Sequence, residues 1–200
     1  MKLAVLASGR GSNLQAILDA VDGGKLKAEI VLVAANNSHA KALERAASKG
    51  ISTSVVLPAD YSSREEYDRA LAQEVSKSGA EWVALAGFMR LLSSAFLDFF
   101  PKRVINIHPS LLPAFPGLEA QSQAFDYGVK YSGCTVHFVD EDLDHGPIIA
   151  QSVVPVLTGD NAESLAGRIL VEEHKLYPEV LQYLTEGRVK LEGRKVVIQE

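Results

Sequence analysis

Lys2-Leu3-Ala4-Val5-Leu6-Ala7-Ser8-Gly9-Arg10-Gly11-Ser12-Asn13-Leu14-Gln15-Ala16-Ile17-Leu18 opens the chain and decides its fold. The apolar run Lys2–Ala7 reads as a buried strand. Leu14, Ile17, Leu18 and Val21 then recur at i, i+3, i+4 and i+7, which is one face of a helix. Between strand and helix lies Ser8-Gly9-Arg10-Gly11-Ser12-Asn13. Its glycines allow a tight turn, and the N–H groups that open a helix, together with its dipole, face an anion. A dinucleotide loop would need a third glycine at position 14, which is Leu14, and an acid after the second strand, where Asn36-Asn37 stand. The lysine of a nucleotide P-loop is missing too. Two readings stand: a pocket for a single phosphate, with Ser12 and Asn13 adding donors, or a tight turn in which Ser12 caps the helix.

The pattern repeats outward from this unit. Ile30–Ala34 reads as a second strand, followed by a helix over 40–49 that stops at Gly50, and Val55-Val56-Leu57 suggests a third strand. Ser62-x-x-Glu65 and Ser63-x-x-Glu66 are both capping-box patterns at the start of a helix that ends before Gly79. Trp82–Ala86 and Val104–Ile107 are further strands. Strand alternating with helix implies right-handed crossovers and a parallel sheet covered on both faces. In the second half a Pro/Gly-rich loop runs from His108 to Gly117. Strands Thr135–Val139 and Ile148–Val156 flank an acidic turn, and a helix extends over 161–186 with Pro178 inside it, where a kink is expected. Lys190–Ile198 reads as a hairpin turning at Glu192-Gly193. The expected fold is α/β: a Rossmann-like, mostly parallel sheet flanked by helices, with an antiparallel strand in the C-terminal half and a long C-terminal helix. The chain reads as one domain, 1–200.

Composition narrows the function. A chain of 200 residues, 47 % hydrophobic and 22 % charged, can bury about 70 % of its unfolded surface and needs no disulfide or structural metal. Its single cysteine, Cys134, excludes an internal disulfide and a cysteine-cluster zinc site. Twenty Lys+Arg against twenty-five Asp+Glu leave a net charge of -5, which argues against a general nucleic-acid binder. No apolar run has the length of a membrane span, and the N-terminus lacks a signal-peptide pattern. The expectation is a cytoplasmic protein with small-molecule partners and no membrane or nucleic-acid partner.

Three places break the pattern with polar residues. In Val104-Ile105-Asn106-Ile107-His108-Pro109, strand alternation points Asn106 and His108 the same way. An amide donor beside an imidazole suits oxyanion stabilisation and proton movement; the alternative is a polar pair that anchors the next loop. The turn Asp140-Glu141-Asp142-Leu143-Asp144-His145-Gly146-Pro147 fails as a calcium loop, since its sixth and twelfth positions are His145 and Gln151. It is either a solvated turn or the source of a carboxylate, Asp144, that fixes an imidazole tautomer. Glu173 has Ile169, Leu170, Leu176, Tyr177 and Val180 around it on the helix. A carboxylate in an apolar stripe requires a partner, a ligand or a route to water. Cys134 and His137 lie an odd number apart on a strand and face opposite ways. His39, His137, His145 and His174 show no metal-ligand spacing and read as surface or core histidines.

Four stretches together resemble a known family, the phosphoribosylglycinamide formyltransferases, which are folate-dependent enzymes of purine biosynthesis. They are Ser8–Ala16, Leu85-Ala86-Gly87-Phe88-Met89-Arg90-Leu91-Leu92, Asn106–Pro113, and the series from Gly133 through Thr135, Val136, Phe138, Val139, Glu141, Leu143 and Asp144 to Gly146-Pro147. The resemblance runs from Leu3 to about Glu186. It implies that Gly11, Ser12 and Asn13 hold the phosphate of glycinamide ribonucleotide and that Glu173 accepts its ribose hydroxyls. It further implies that Arg64, Met89, Arg90, Leu91, Leu92, Asp140, Glu141, Asp142 and Leu143 embrace the co-substrate 10-formyltetrahydrofolate, and that Asn106, His108 and Asp144 form a metal-free catalytic trio. The phosphate-binding half would be 1–100 and the folate and catalytic half 101–200. The loop Pro116–Gln121 departs from the family: Glu119 and Gln121 stand where some members carry histidines, which puts a contact between this lid candidate and Asp144 in question. Two alternatives remain beside this one, a formyltetrahydrofolate deformylase and a non-catalytic nucleotide-binding module. Methionyl-tRNA formyltransferases are longer and need a basic surface.

Overall fold

Leu3, Ala4, Val5, Leu6 and Ala7 are wholly buried because β1 (Lys2–Ala7) has a parallel neighbour on each side, β2 (Glu29–Ala35) and β4 (Trp82–Leu85). The computed structural model describes residues 1–200, and they form two units, Met1–Asn106 and Ile107–Glu200. In the first, the order is β3-β2-β1-β4-β5, all parallel, where β3 is Thr53–Val55 and β5 is Val104–His108. Helices α1 (Ser12–Asp22), α2 (Lys41–Ala47), α3 (Arg64–Lys77) and α4 (Ser94–Leu97) connect the strands. In the second, β6 (Tyr131–Phe138) pairs antiparallel with β7 (Ile148–Pro155), α5 (Ala120–Tyr127) precedes them, and α6 (Ala162–Thr185) follows. A hairpin of β8 (Val189–Glu192) and β9 (Lys195–Ile198) ends the chain. The α/β, mostly parallel architecture read from the sequence is the one observed.

The differences lie at edges and short elements. The third strand sits at Thr53–Val55 rather than at 55–57, because it pairs with Val33, Ala34 and Ala35 at the sheet edge, where no apolar run is required. A 3-10 turn, Pro58–Asp60, follows. Helices α4 and α5 carry no periodic signal. Of the two capping patterns before α3, Ser63 is the cap: its hydroxyl accepts the Glu66 N–H, while Glu66, and not Glu65 as the other pattern expects, accepts the Ser62 N–H and hydroxyl on its carboxylate. Helix α6 continues through Pro178 without interruption.

The start of α6 carries a testable electrostatic tie. Arg168 grips Asp160 with both terminal nitrogens at 2.8 and 2.9 Å, and Leu157 N–H and the Ser164 hydroxyl donate to the same carboxylate. The Arg168 guanidinium first, then the Leu157 amide, hold this carboxyl well below the usual carboxylate range. The folded chain therefore binds the Asp160 proton less readily than the unfolded one, and the stabilisation, present above about pH 4, is lost as pH falls below it. Asp160→Asn should lower the urea midpoint at pH 7, and the gap from wild type should narrow as pH falls below about 4. A gap that stays unchanged in strong acid would count against the tie.

Candidate active site

Gly11 is the hinge of the first candidate subsite. It sits at φ +68°, and a Cβ there would lie 2.9 Å from Cα and Cβ of Ala42. A side chain is thus excluded both by backbone conformation and by the close approach of α2. Helix α1 begins at Ser12 with no side-chain cap on its N-terminus, so Ser12 is a helical residue and not the cap. α2 braces the turn from behind: Ala42 N–H donates to Gly9 O at 3.2 Å, and Arg45 Nε to Arg10 O at 3.0 Å. Arg45 also donates to Gln15 Oε1 at 2.8 Å. Two glycines, an uncapped helix N-terminus and a guanidinium nearby make an anion-receptive turn. Arg45 gives no sign of this in the sequence, since its spacing is that of an ordinary surface cation.

Residues 87–93 supply the second candidate subsite of this unit. Met89 is 63 % exposed while Leu92 is in the core. Leu92 therefore has only backbone atoms to offer a ligand. The Arg90 guanidinium lies 4.7 Å from the centroid of the Tyr67 ring, and burial pushes the Tyr67 phenol up to about 12. Arg64 opens α3, its Nε 3.7 Å from Asp68 Oδ2. Asn106 is half-buried on β5, opposite Leu85 of β4.

In the second unit, His108 ends β5 and is buried. Its Nδ1 lies 3.3 Å from Asp144 Oδ2, and its Nε2 lies 2.9 Å from Phe115 O. Both ring nitrogens thus face oxygens, Nε2 at hydrogen-bond distance and Nδ1 within ion-pair range. The Gly117 N–H donates to the same Asp144 oxygen at 2.8 Å. The loop contact questioned on account of Glu119 and Gln121 is therefore made, and by the main chain, so neither substitution bears on it. The other Asp144 oxygen lies 3.7 Å from Nε2 of His137. His137 is 2 % exposed, its Nδ1 bonds Phe138 O at 2.8 Å, and burial holds its pKa below the ordinary histidine value. In the sequence it reads as a surface or core histidine; only the fold brings it to Asp144.

Thr135 and Gln151 fix the segment that follows His108. The Thr135 hydroxyl donates to Ser110 O at 2.7 Å and accepts Leu112 N–H at 3.1 Å. Gln151 Nε2 donates to Thr135 Oγ1 and Leu112 O, both at 2.9 Å. The acidic turn is internally tied: His145 Nδ1 bonds Asp140 Oδ2 at 2.9 Å, and Asp142 N–H reaches Asp140 Oδ1. From the terminal hairpin, Arg194 donates to His145 O at 2.6 Å. Glu141, Asp142 and Leu143 are exposed, Asp140 partly so, and Asp144 adopts φ +49°. Glu173, on α6, is 6 % exposed. Burial, and after it the charge of Glu173, pushes the Cys134 thiol up to about 12, so this cysteine is no nucleophile. No group of three His, Cys, Asp or Glu side chains is placed to hold a metal ion.

An imidazole within ion-pair range of a carboxylate can hold and move a proton, as group-transfer chemistry requires. Comparisons with known proteins give the class. Residues 1–181 match the family described as Formyl transferase. The phosphoribosylglycinamide formyltransferase of Escherichia coli (strain K12) is 44 % identical, over 96 % of this chain and 90 % of that protein. The trifunctional purine biosynthetic protein adenosine-3 of Drosophila pseudoobscura pseudoobscura is 49 % identical over 94 % of this chain, which spans 14 % of that longer protein. In three dimensions, the crystal structure of glycinamide ribonucleotide transformylase 1 from Symbiobacterium toebii superposes with TM-score 0.98 at 50 % identity, covering 100 % of this chain and 94 % of that one. The chain belongs to the formyl transferase family.

Proposed function

We propose that this chain transfers the formyl group of 10-formyltetrahydrofolate to the amine of glycinamide ribonucleotide, a step of de novo purine biosynthesis. Relatives of nearly the same length carry that activity in their names. The observation that carries the chemistry is the buried His108–Asp144 pair at 3.3 Å. The amine attacks the formyl carbon and gives a tetrahedral intermediate bearing an oxyanion. Asn106 and protonated His108 stabilise that charge, and Asp144 holds the imidazole and assists the proton from the attacking amine to the departing folate nitrogen. His108 Nε2–H serves the oxyanion once Phe115 O withdraws from it, which makes Phe115 and its neighbours, between the pinned Leu112 and the lid candidate Pro116–Gln121, the part that must move. Gly11, Ser12 and Asn13 take the phosphate and Glu173 the ribose hydroxyls. Arg64, Met89 to Leu92 and the turn Asp140 to Leu143 receive the folate.

The same reading makes residues 1–200 one functional domain, with phosphate binding in the first half and catalysis in the second. Its partners are the two small molecules, with no nucleic acid, and no metal takes part. No helix is long and apolar enough to cross a membrane, and the cytoplasm is the proposed compartment. The test supplies 10-formyltetrahydrofolate with and without glycinamide ribonucleotide. Folate release that requires the ribonucleotide, with formyl recovered on it, is the expected result. Release without it would point to a deformylase, and binding without turnover to a non-catalytic module.

A further inference from the structure

We propose that Asp68 and Ser8 are positioning residues that hold Met89–Leu92 in the shape that receives the formyl donor. This rests on the reading that the segment faces that donor. Asp68 is fully buried on α3 among Tyr67, Leu71, Ala72 and Val75. An apolar side chain would avoid the cost of desolvating a carboxylate there. What the carboxylate does is seize the residue that ends the segment: Oδ2 accepts Ser93 N–H at 2.7 Å and the Ser93 hydroxyl at 2.6 Å, with Arg64 Nε at 3.7 Å. Two short bonds to one fully buried side chain fix both the amide and the hydroxyl of Ser93.

Ser8 anchors the other end. Its N–H donates to Gly87 O at 3.0 Å, and its hydroxyl accepts Met89 N–H at 2.8 Å. The four residues therefore hang between two side-chain anchors. Between them Leu92 is packed into the core and Arg90 lies over Tyr67. Met89 alone is left widely exposed, and Leu91 partly so. The wall is thus rigid behind and free in front, as preorganised binding requires.

Ser93 also precedes α4, and a purely structural tie would serve that helix alone. Steady-state kinetics separate the two. Asp68→Asn, Ser93→Ala and Ser8→Ala should each raise KM for 10-formyltetrahydrofolate about tenfold, with kcat and the KM for the ribonucleotide within about twofold. Ser93→Thr, which keeps the hydroxyl, should restore the donor KM. Lowered urea midpoints with an unmoved donor KM would overturn the proposal. Where Asp68→Asn fails to fold, the Ser93→Ala and Ser93→Thr pair decides on the same criterion. Leu91→Asp separates the two layers: if it leaves the donor KM unmoved, the segment does not face the donor and the reading beneath fails. If it raises that KM while the anchor variants do not, the anchoring alone is wrong.

Discussion

Asp144→Asn should lower kcat about a thousandfold, in the middle of the range that a positioned acid–base partner contributes. One carboxylate oxygen lies 3.3 Å from His108 Nδ1 and also accepts the Gly117 N–H. An asparagine oxygen in that place could still accept from both, but it lacks the negative charge that favours a proton on the imidazole during transfer, and its NH₂ presents protons where the second carboxylate oxygen had lone pairs. Transfer also requires the ribonucleotide amine in its free-base form, so the rate rises with pH in wild type. The midpoint of that rise should move in Asp144→Asn. Purified variant enzyme that retains its folded signal, loses less than about tenfold in kcat and keeps the wild-type midpoint would detach Asp144 from the chemistry.

Gly11→Ala should raise KM for the ribonucleotide about a hundredfold while leaving KM for the formyl donor close to wild type. An L-residue at φ +68° costs about 1–2 kcal/mol, and the new methyl would meet Cα and Cβ of Ala42 at 2.9 Å. The turn can relieve that contact only by moving away from α2. Such a move breaks the Ala42–Gly9 and Arg45–Arg10 bonds that shape it, and small displacements of an anion-binding turn are expensive. Arg45→Ala should act in the same direction with a smaller effect. Equal rises in both KM values would mean general damage to the unit; no rise at all would place the phosphate elsewhere.

How much of this was legible in the sequence varies with how local the signal is. Buried parallel strands such as Lys2–Ala7 read directly, because desolvation on both faces demands a continuous apolar run. The edge strand Thr53–Val55 did not, because hydrogen bonding to β2 rather than burial makes it a strand. Helix α5 begins at Ala120 after Glu119, which stands at φ +55° and caps nothing with its side chain, so no capping residue announced it. Glu173 stood out as an acid inside an apolar stripe. Asp68 carries the same signature, with Leu71, Ala72 and Val75 at i+3, i+4 and i+7, and the rule that found one would have found the other. His137 and the Gly117 N–H gave no such sign. The first looked like any surface or core histidine, and an amide hydrogen belongs to nearly every position of a chain.

That last contact has a consequence for how the enzyme can be changed. Gly117, at φ +85°, grips Asp144 through an atom that no ordinary side-chain replacement deletes, and its neighbour Leu118 is 70 % exposed. Leu118 and Glu119 are exposed, whereas Ala120 is fully buried. The two exposed side chains can therefore be exchanged without deleting the Asp144 contact, and resistance to a loop-binding inhibitor can arise there. A compound designed to last should avoid those side chains and compete for the main-chain amide itself.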